Sequence, residues 1–308
     1  MTLTELRYIV AVARERHFGR AAEACFVSQP TLSVAIKKLE DELNVQIFER
    51  SGSELAITAL GQTIIHQAQK VLDDSQVIKH LAQHGQDPLS GPVRLGTIYT
   101  IAPYLLPELV RHSIDMSPQM PLMLQENFTV RLLEMLRAGE IDCAVLAEPF
   151  PDAGLAIAPL YDEPFMAAVP STHPLAALPS VTAQALKDET MLLLGAGHCF
   201  RDQVLEVCPE MSRFSTAGVG IARTFEGSSL ETIRHMVASG IGITVLPKGS
   251  VPAAPGTDHM LRYVPFEDPV PSRRVVIAWR KSFTRYEAIA ALRNAIYACE
   301  LPGVTRLS

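Results

Sequence analysis

The chain has 308 residues, 48% of them hydrophobic and 19% charged, and carries a net charge of −6. That length holds two or three domains with cores of their own, and the acid excess excludes a protein that attracts polyanions by overall charge, though not one that binds them locally. Met1-Thr2-Leu3-Thr4-Glu5 lacks the basic and apolar runs of a signal peptide. No stretch approaches the roughly 20 apolar residues of a membrane span, and five cysteines, an odd number, argue against a secreted disulfide framework. A cytoplasmic protein with no membrane contact is expected.

In chain order, Leu3, Leu6, Val10 and Ala13 recur at helical spacing and predict a helix over 3–15. Phe18, Ala21, Ala22 and Cys25 mark a short second helix with Gly19 near its start. Val27-Ser28-Gln29-Pro30 supplies a turn, an N-cap serine and a proline suited to a first helical turn. Leu32, Ile36, Leu39 and Leu43 then run as one apolar stripe to about Asn44. Two short helices joined by a tight turn form a helix-turn-helix, whose second helix enters the major groove. Beside the buried stripe stand Gln29, Pro30, Ser33, Val34 and Lys37. Gln29 suits adenine, Ser33 either groove edge and Val34 a thymine methyl, while Lys37 and Lys38 are placed for phosphates. Glu40, Asp41 and Glu42 cluster toward the end that would leave the groove. Ser51 to Thr58, with Gly52 and Ser53 between extended residues, predicts a wing hairpin, and Arg50 could reach phosphate or minor groove.

Thr58 to about Gln86 predicts one long helix with Ile64, Ile65, Ala68, Val71, Leu72, Ile78 and Leu81 on an apolar face, ended by Pro88 and Gly91-Pro92. A helix of this length outside a compact domain packs against a copy of itself, and a dimer presents two reading heads. Beyond Pro92, strand-like runs (93–97, 122–125, 142–146, 165–169, 191–194, 243–246, 275–279) alternate with helical ones (103–115, 130–138, 230–239, 285–299). Such alternation predicts an α/β sheet flanked by helices.

Cys199 and Cys208 are the chemically distinctive pair. Cys199 lies between His198 and Arg201 and follows Gly197, where a helix can begin; these are the surroundings of a reactive thiol. Cys208 could trap its oxidised form, so the two suggest a redox switch in a reducing compartment. Cys25, Cys143 and Cys299 lie in apolar runs and are expected to be structural. His198, Cys199 and Cys208 match no closed tetrahedral metal pattern, and neither metal nor cofactor is expected.

Phe18-Gly19-Arg20-Ala21-Ala22, Ser28-Gln29-Pro30-Thr31-Leu32-Ser33, Lys38-Leu39-Glu40 and Phe48-Glu49-Arg50 resemble the LysR-type transcriptional regulators, and the likeness extends over the whole chain. It implies DNA contacts at Gln29, Pro30, Ser33 and Arg50 and a dimer built on the long helix. Lysines at 37 and 38 depart from the arginine of many members, which weakens bidentate phosphate contact there. The implied architecture is a winged helix-turn-helix over 1–58, a dimerising helix over 59–88 and a two-lobed regulatory domain over 89–308. That domain resembles periplasmic binding proteins, with lobe I about 89–162 and 269–308 and lobe II about 163–268.

The stretches 191–203, Glu126-Asn127-Phe128-Thr129 and 228–240 look like the peroxide-sensing branch of that family. That resemblance implies that hydrogen peroxide oxidises Cys199, which then joins Cys208. It also implies a peroxide pocket of Thr100, Thr129, His198 and Asp202, with Arg273 (or its neighbour Arg274) as a further member. Promoter DNA, a homotetramer of paired dimers and RNA polymerase are the implied partners. The chemistry fits these residue types. Threonine hydroxyls both donate and accept, as capture of a small neutral peroxide requires, and a sulfenic acid condenses with a second thiol to a disulfide. Phe200 to Val207 reads as helix, and nine residues at helical rise separate the two Cα atoms by about 13 Å, whereas a disulfide needs about 4.4–6.8 Å. The bridge therefore demands that the helix unwind. The rival expectations are a metabolite-responsive regulator of the same family, with no use for paired thiols, and a thiol peroxidase, with no use for a reading head.

Overall fold

The computed structural model describes all residues except 52–53, 85–86, 210–225, 228, 253–258 and 308, with only the backbone described at some adjoining positions. The described elements are α1 (Leu3–Glu15), α2 (Phe18–Ala24), α3 (Gln29–Leu43), β1 (Phe48–Ser51), β2 (Glu54–Ile57), α4 (Ala59–His84), β3 (Val93–Ile98), α5 (Ala102–Met116), β4 (Leu122–Asn127), α6 (Thr129–Arg137), β5 (Cys143–Ala147), β6 (Leu155–Pro170), β7 (Leu193–Leu194), α7 (Cys199–Val207), β8 (Glu226–Gly227), α8 (Leu230–Ala238), β9 (Thr244–Pro247), β10 (Leu261–Pro265), β11 (Ser272–Arg280), α9 (Tyr286–Ala298) and β12 (Thr305–Arg306). They enclose three hydrophobic cores, one in the N-terminal module and two in the α/β half.

Capping sets the N-terminal helices where the sequence places them. Thr2 and Glu5 form a reciprocal capping box on α1. The Ser28 hydroxyl accepts from the Thr31 amide at 3.3 Å to open α3, and Asn44 closes it in the left-handed region. Leu32, Ile36 and Leu39 are buried against Leu6, Ile9, Val12 and Ala21, but Leu43 is 37% exposed, so the stripe ends one turn early. The hairpin of β1 and β2 pairs from Phe48↔Ile57 to Ser51↔Glu54. Its expected tip, Gly52 and Ser53, lies outside the described residues. Glu40 differs from its expected role at a solvent-facing helix end. Its carboxylate accepts from the Ile47 and Phe48 amides at 2.7 and 3.1 Å and ties the strand entry to α3.

The long helix is shared between two neighbours. Ile65 and Ala68 are buried in the N-terminal core, with Ile64, Val71 and Leu72 packed beside them, so this part of the apolar face is not free to dimerise. Ile78 stays 69% exposed; the Leu81 side chain and Gln86 lie outside the described residues. Farther along, the Asp73 carboxylate accepts from Arg280 Nε at 2.8 Å, from the Ser282 hydroxyl at 3.2 Å and from Gln69 Nε2 at 2.9 Å. Arg280 in turn donates to the Leu136 and Ile141 carbonyls at 2.6 and 2.8 Å. Gly139 makes this approach possible: its φ is +71°, and a Cβ there would sit 2.8 Å from Gln69 Nε2. Gly139→Ala is therefore expected to cost about 1–2 kcal/mol from the left-handed backbone alone, read as a lower urea midpoint of the α/β half.

The main sheet runs β10-β6-β11-β5-β3-β4, with β9 and β12 also paired to β6. β3 is parallel to β4 and β5, while β11 is antiparallel to β5 and β6. The 16 residues of β6 join the two α/β cores. Residues 155–164 pair with β11, and residues 165–170 pair with β9 and β10. The sequence shows only the second half of this strand as apolar, because Pro159 and Pro164 break the pattern of the first. A register shift opposite Val275 and Val276 takes up Leu160 beside Pro159 as a bulge, where a proline costs no ladder bond.

Candidate functional site

On the reading head, Gln29 and Pro30 are exposed at the N-terminus of α3. Ser33, Val34 and Lys37 line one groove with Phe48, and Val34 is 69% exposed. Lys38 is exposed too. The Arg50 side chain lies outside the described residues.

The second site forms where the lobes meet. Cys199 is the first residue of α7 and partly exposed, and Cys208 is that helix's C-cap and buried. Cys199 packs against the lobe I core, whereas Cys208, Phe200 and Val204 belong to the lobe II core. The helix therefore holds its two sulfurs in different cores. Burial pushes the Cys208 thiol up, so it stays protonated in this arrangement.

His198 is buried, and its ring meets Phe128 edge-on at 4.8 Å and Tyr99 at 5.9 Å. Those two aromatics immediately precede Thr129 and Thr100, so the stack brings the lobe II turn to both strand ends of lobe I. Gly197 permits it: with φ at +96°, a Cβ would lie 3.3 Å from the Phe128 ring. Thr100 and Thr129 are both buried. The Thr129 hydroxyl has no hydrogen-bond partner, and the Thr100 hydroxyl accepts from Arg273 Nη1 at 2.8 Å, leaving its own proton to donate.

Arg273, not Arg274, reaches this site. Its guanidinium also donates to the Thr100 carbonyl at 3.1 Å and to Glu163 at 2.7 Å, and it lies 5.2 Å over the Phe200 ring. Glu163 is fixed by the Gly249 amide at 2.7 Å. Arg274 stands exposed, paired with Asp162. Asp202, expected in the pocket, is exposed on the first turn of α7 and does not join the buried set. Gln203 does: it donates to the Glu148 carbonyl at 2.7 Å, and its amide oxygen has no partner. Neither Gln203 nor Glu163 carries a signal in the sequence, since Gln203 acquires its role where α7 meets lobe I and Glu163 where β11 sets Arg273 opposite it.

A winged helix-turn-helix joined by a long helix to a two-lobed α/β half defines a transcription regulator and not an enzyme. Residues 3–62 match the bacterial regulatory helix-turn-helix protein model of the lysR family, and residues 86–298 match the LysR substrate binding domain. The chain belongs to the LysR family of transcription regulators. Within that family it is close to OxyR. Full-length OxyR from Pseudomonas aeruginosa, in a cysteine-to-aspartate form, is 51% identical over 98% of this chain and 99% of that one, with a TM-score of 0.75. The DNA-binding transcriptional dual regulator OxyR of Escherichia coli K12 is 39% identical over 293 residues, 94% of each chain. A hydrogen-peroxide-bound OxyR mutant from Corynebacterium glutamicum is 33% identical over 96% of this chain and 91% of that one, with a TM-score of 0.64. No helix among the described residues is long and apolar enough to cross a membrane.

Proposed function

We propose that this chain is a cytoplasmic hydrogen-peroxide sensor that controls promoters through a Cys199–Cys208 disulfide. Peroxide sits between the Thr100 and Thr129 hydroxyls. The Cys199 thiolate attacks one oxygen, the O–O bond breaks, and the sulfur becomes a sulfenic acid. The departing hydroxide takes a proton, supplied from the His198 side of the pocket, and leaves as water. Once out of lobe II, Cys208 gives up its thiol proton and attacks the sulfenic sulfur; the S–O bond breaks, the S–S bond forms, and the departing hydroxide takes up that proton and leaves as a second water. Asp202 acts only through solvent, from outside the buried set.

The observation that carries this reading is that one intact helix anchors its two cysteines in two cores. Since a helix keeps them about 13 Å apart, the bond forms only if α7 unwinds and Cys208 leaves lobe II. Chemistry thereby becomes a change of shape. The segment 1–58 serves as the reading head, with Gln29, Pro30, Ser33, Val34 and Lys37 toward bases or phosphates and Lys38 and Arg50 toward the backbone. The helix over 59–88 joins two copies, and residues 89–308 carry the switch. Exposed Ile78 on α4, with Ile114, Met123 and Leu124 on lobe I, supports assembly into dimers and tetramers. RNA polymerase is the partner the remodelled oligomer would engage.

Mass spectrometry after one equivalent of peroxide is expected to find a 199–208 bridge, and footprinting to find a different promoter contact in the oxidised protein. Absence of the bridge would sink the sensor and leave a metabolite-responsive regulator.

A further inference from the structure

Away from the switch, lobe I brings together three side chains that sequence order keeps apart. Glu108 and His112 stand one turn apart on the same face of α5. Cys299 closes α9, which packs along α5, and its residue is fully buried. One carboxylate oxygen of Glu108, one ring nitrogen of His112 and the Cys299 sulfur all lie within 4.8 Å of one another. Among the described residues no other group of His, Cys, Asp and Glu gathers in this way. His112 Nε2 is buried without a hydrogen-bond partner, which leaves imidazole capacity unused inside the protein.

We propose that Glu108, His112 and Cys299 bind one divalent cation of the zinc class, clamping α5 to the end of α9. A thiolate, an imidazole and a carboxylate are the donor set such an ion takes, with water in the fourth position. Ligand bonds of about 2.0–2.3 Å imply donor-to-donor edges of about 3.3–3.8 Å in a tetrahedron, so closure needs only side-chain movement of about an ångström. The Glu300 amide donates to Glu108 at 2.6 Å and orients that carboxylate from behind.

The Cys299 thiol now donates to the Ala295 carbonyl at 3.2 Å, and burial, then Glu108, push it up to about 11. The cation must displace that proton: the S–H bond breaks, a sulfur–metal bond forms, one proton passes to solvent, and nothing is oxidised. One thiolate and one carboxylate then cancel the dication, so neighbouring Arg111 and Arg306 face no net positive charge. This site stands independently of the redox reading, because it uses neither Cys199 nor Cys208.

The test is titration of the reduced, metal-stripped full chain with Co²⁺. The expected result is one equivalent giving a thiolate-to-cobalt charge-transfer band in the near ultraviolet and tetrahedral visible bands, both erased by Zn²⁺. The bands should be lost in Cys299→Ser and in His112→Gln and persist in Cys199→Ser. His112 is partly exposed, so His112→Gln decides the matter even if Cys299→Ser fails to fold. No band in the wild type, a band surviving in His112→Gln, or a band lost in Cys199→Ser would overturn the assignment.

Discussion

In a Cys208→Ser protein, peroxide will still consume the Cys199 thiol, yet the fold and the promoter footprint will stay those of the reduced form. The first step needs only Cys199 and the pocket at the start of α7. Movement enters with the second step, since α7 and the lobe II core hold Cys208 away from the sulfenic acid. Without that sulfur nothing pulls the helix apart. The oxidised product should carry a sulfenic acid trappable by dimedone, with no 199–208 bridge and no difference in tryptic cleavage around α7. The serine hydroxyl replaces a buried thiol in an apolar setting, so some destabilisation, on the order of 1–3 kcal/mol, is expected. Cys208→Ala avoids the unpaired hydroxyl and should show the same block. Either variant undergoing the wild-type rearrangement and footprint change would mean that sulfenic acid formation alone moves the protein, and that the bridge merely follows.

The elements that announce themselves in this sequence are those fixed locally. Ser28 and Thr58 cap helices that start within a residue of where their side chains place them. The two cysteines are legible because their spacing and the intervening helical pattern depend on nothing distant. The first half of β6 is hidden because a bulge against β11, a partner more than a hundred residues away, accommodates what looks like a proline break. The pocket divides in the same way. His198 and Cys199 lie in one short segment, whereas Glu163 matters only because β11 carries Arg273 past it. Asp202 and Gln203 stand on opposite sides of the line that Cys199 sets along α7, one turn on. Which side faces the protein is decided by the lobe contact, and it is the Gln203 side.

Arg273→Met will cost more stability than loss of the exposed Gln29, Val34 or Lys37 side chain on the reading head, and it will slow the reaction of Cys199 as well. The Arg273 and Glu163 side chains are 1% and 5% exposed. Removing the guanidinium leaves a buried carboxylate whose remaining partner among the described residues is the Gly249 amide. Breaking such a pair from one side costs about 3–5 kcal/mol. Arg273 also fixes both oxygens of Thr100, so its loss frees the hydroxyl that would meet peroxide. A misplacement of about 1 Å in a reacting group can cost on the order of a hundredfold in rate. Two further variants separate the effects. Arg273→Lys keeps a positive charge for Glu163 but has no planar fork to hold Glu163 and Thr100 together. Its urea midpoint should fall less than that of Arg273→Met, while thiol loss under peroxide slows as much. Adding Glu163→Gln to Arg273→Met removes the stranded charge and keeps an acceptor for Gly249. Most of the lost stability should return and the rate should not. A lysine variant reacting at the wild-type rate would show that Arg273 holds the lobes together and has no part in presenting Thr100.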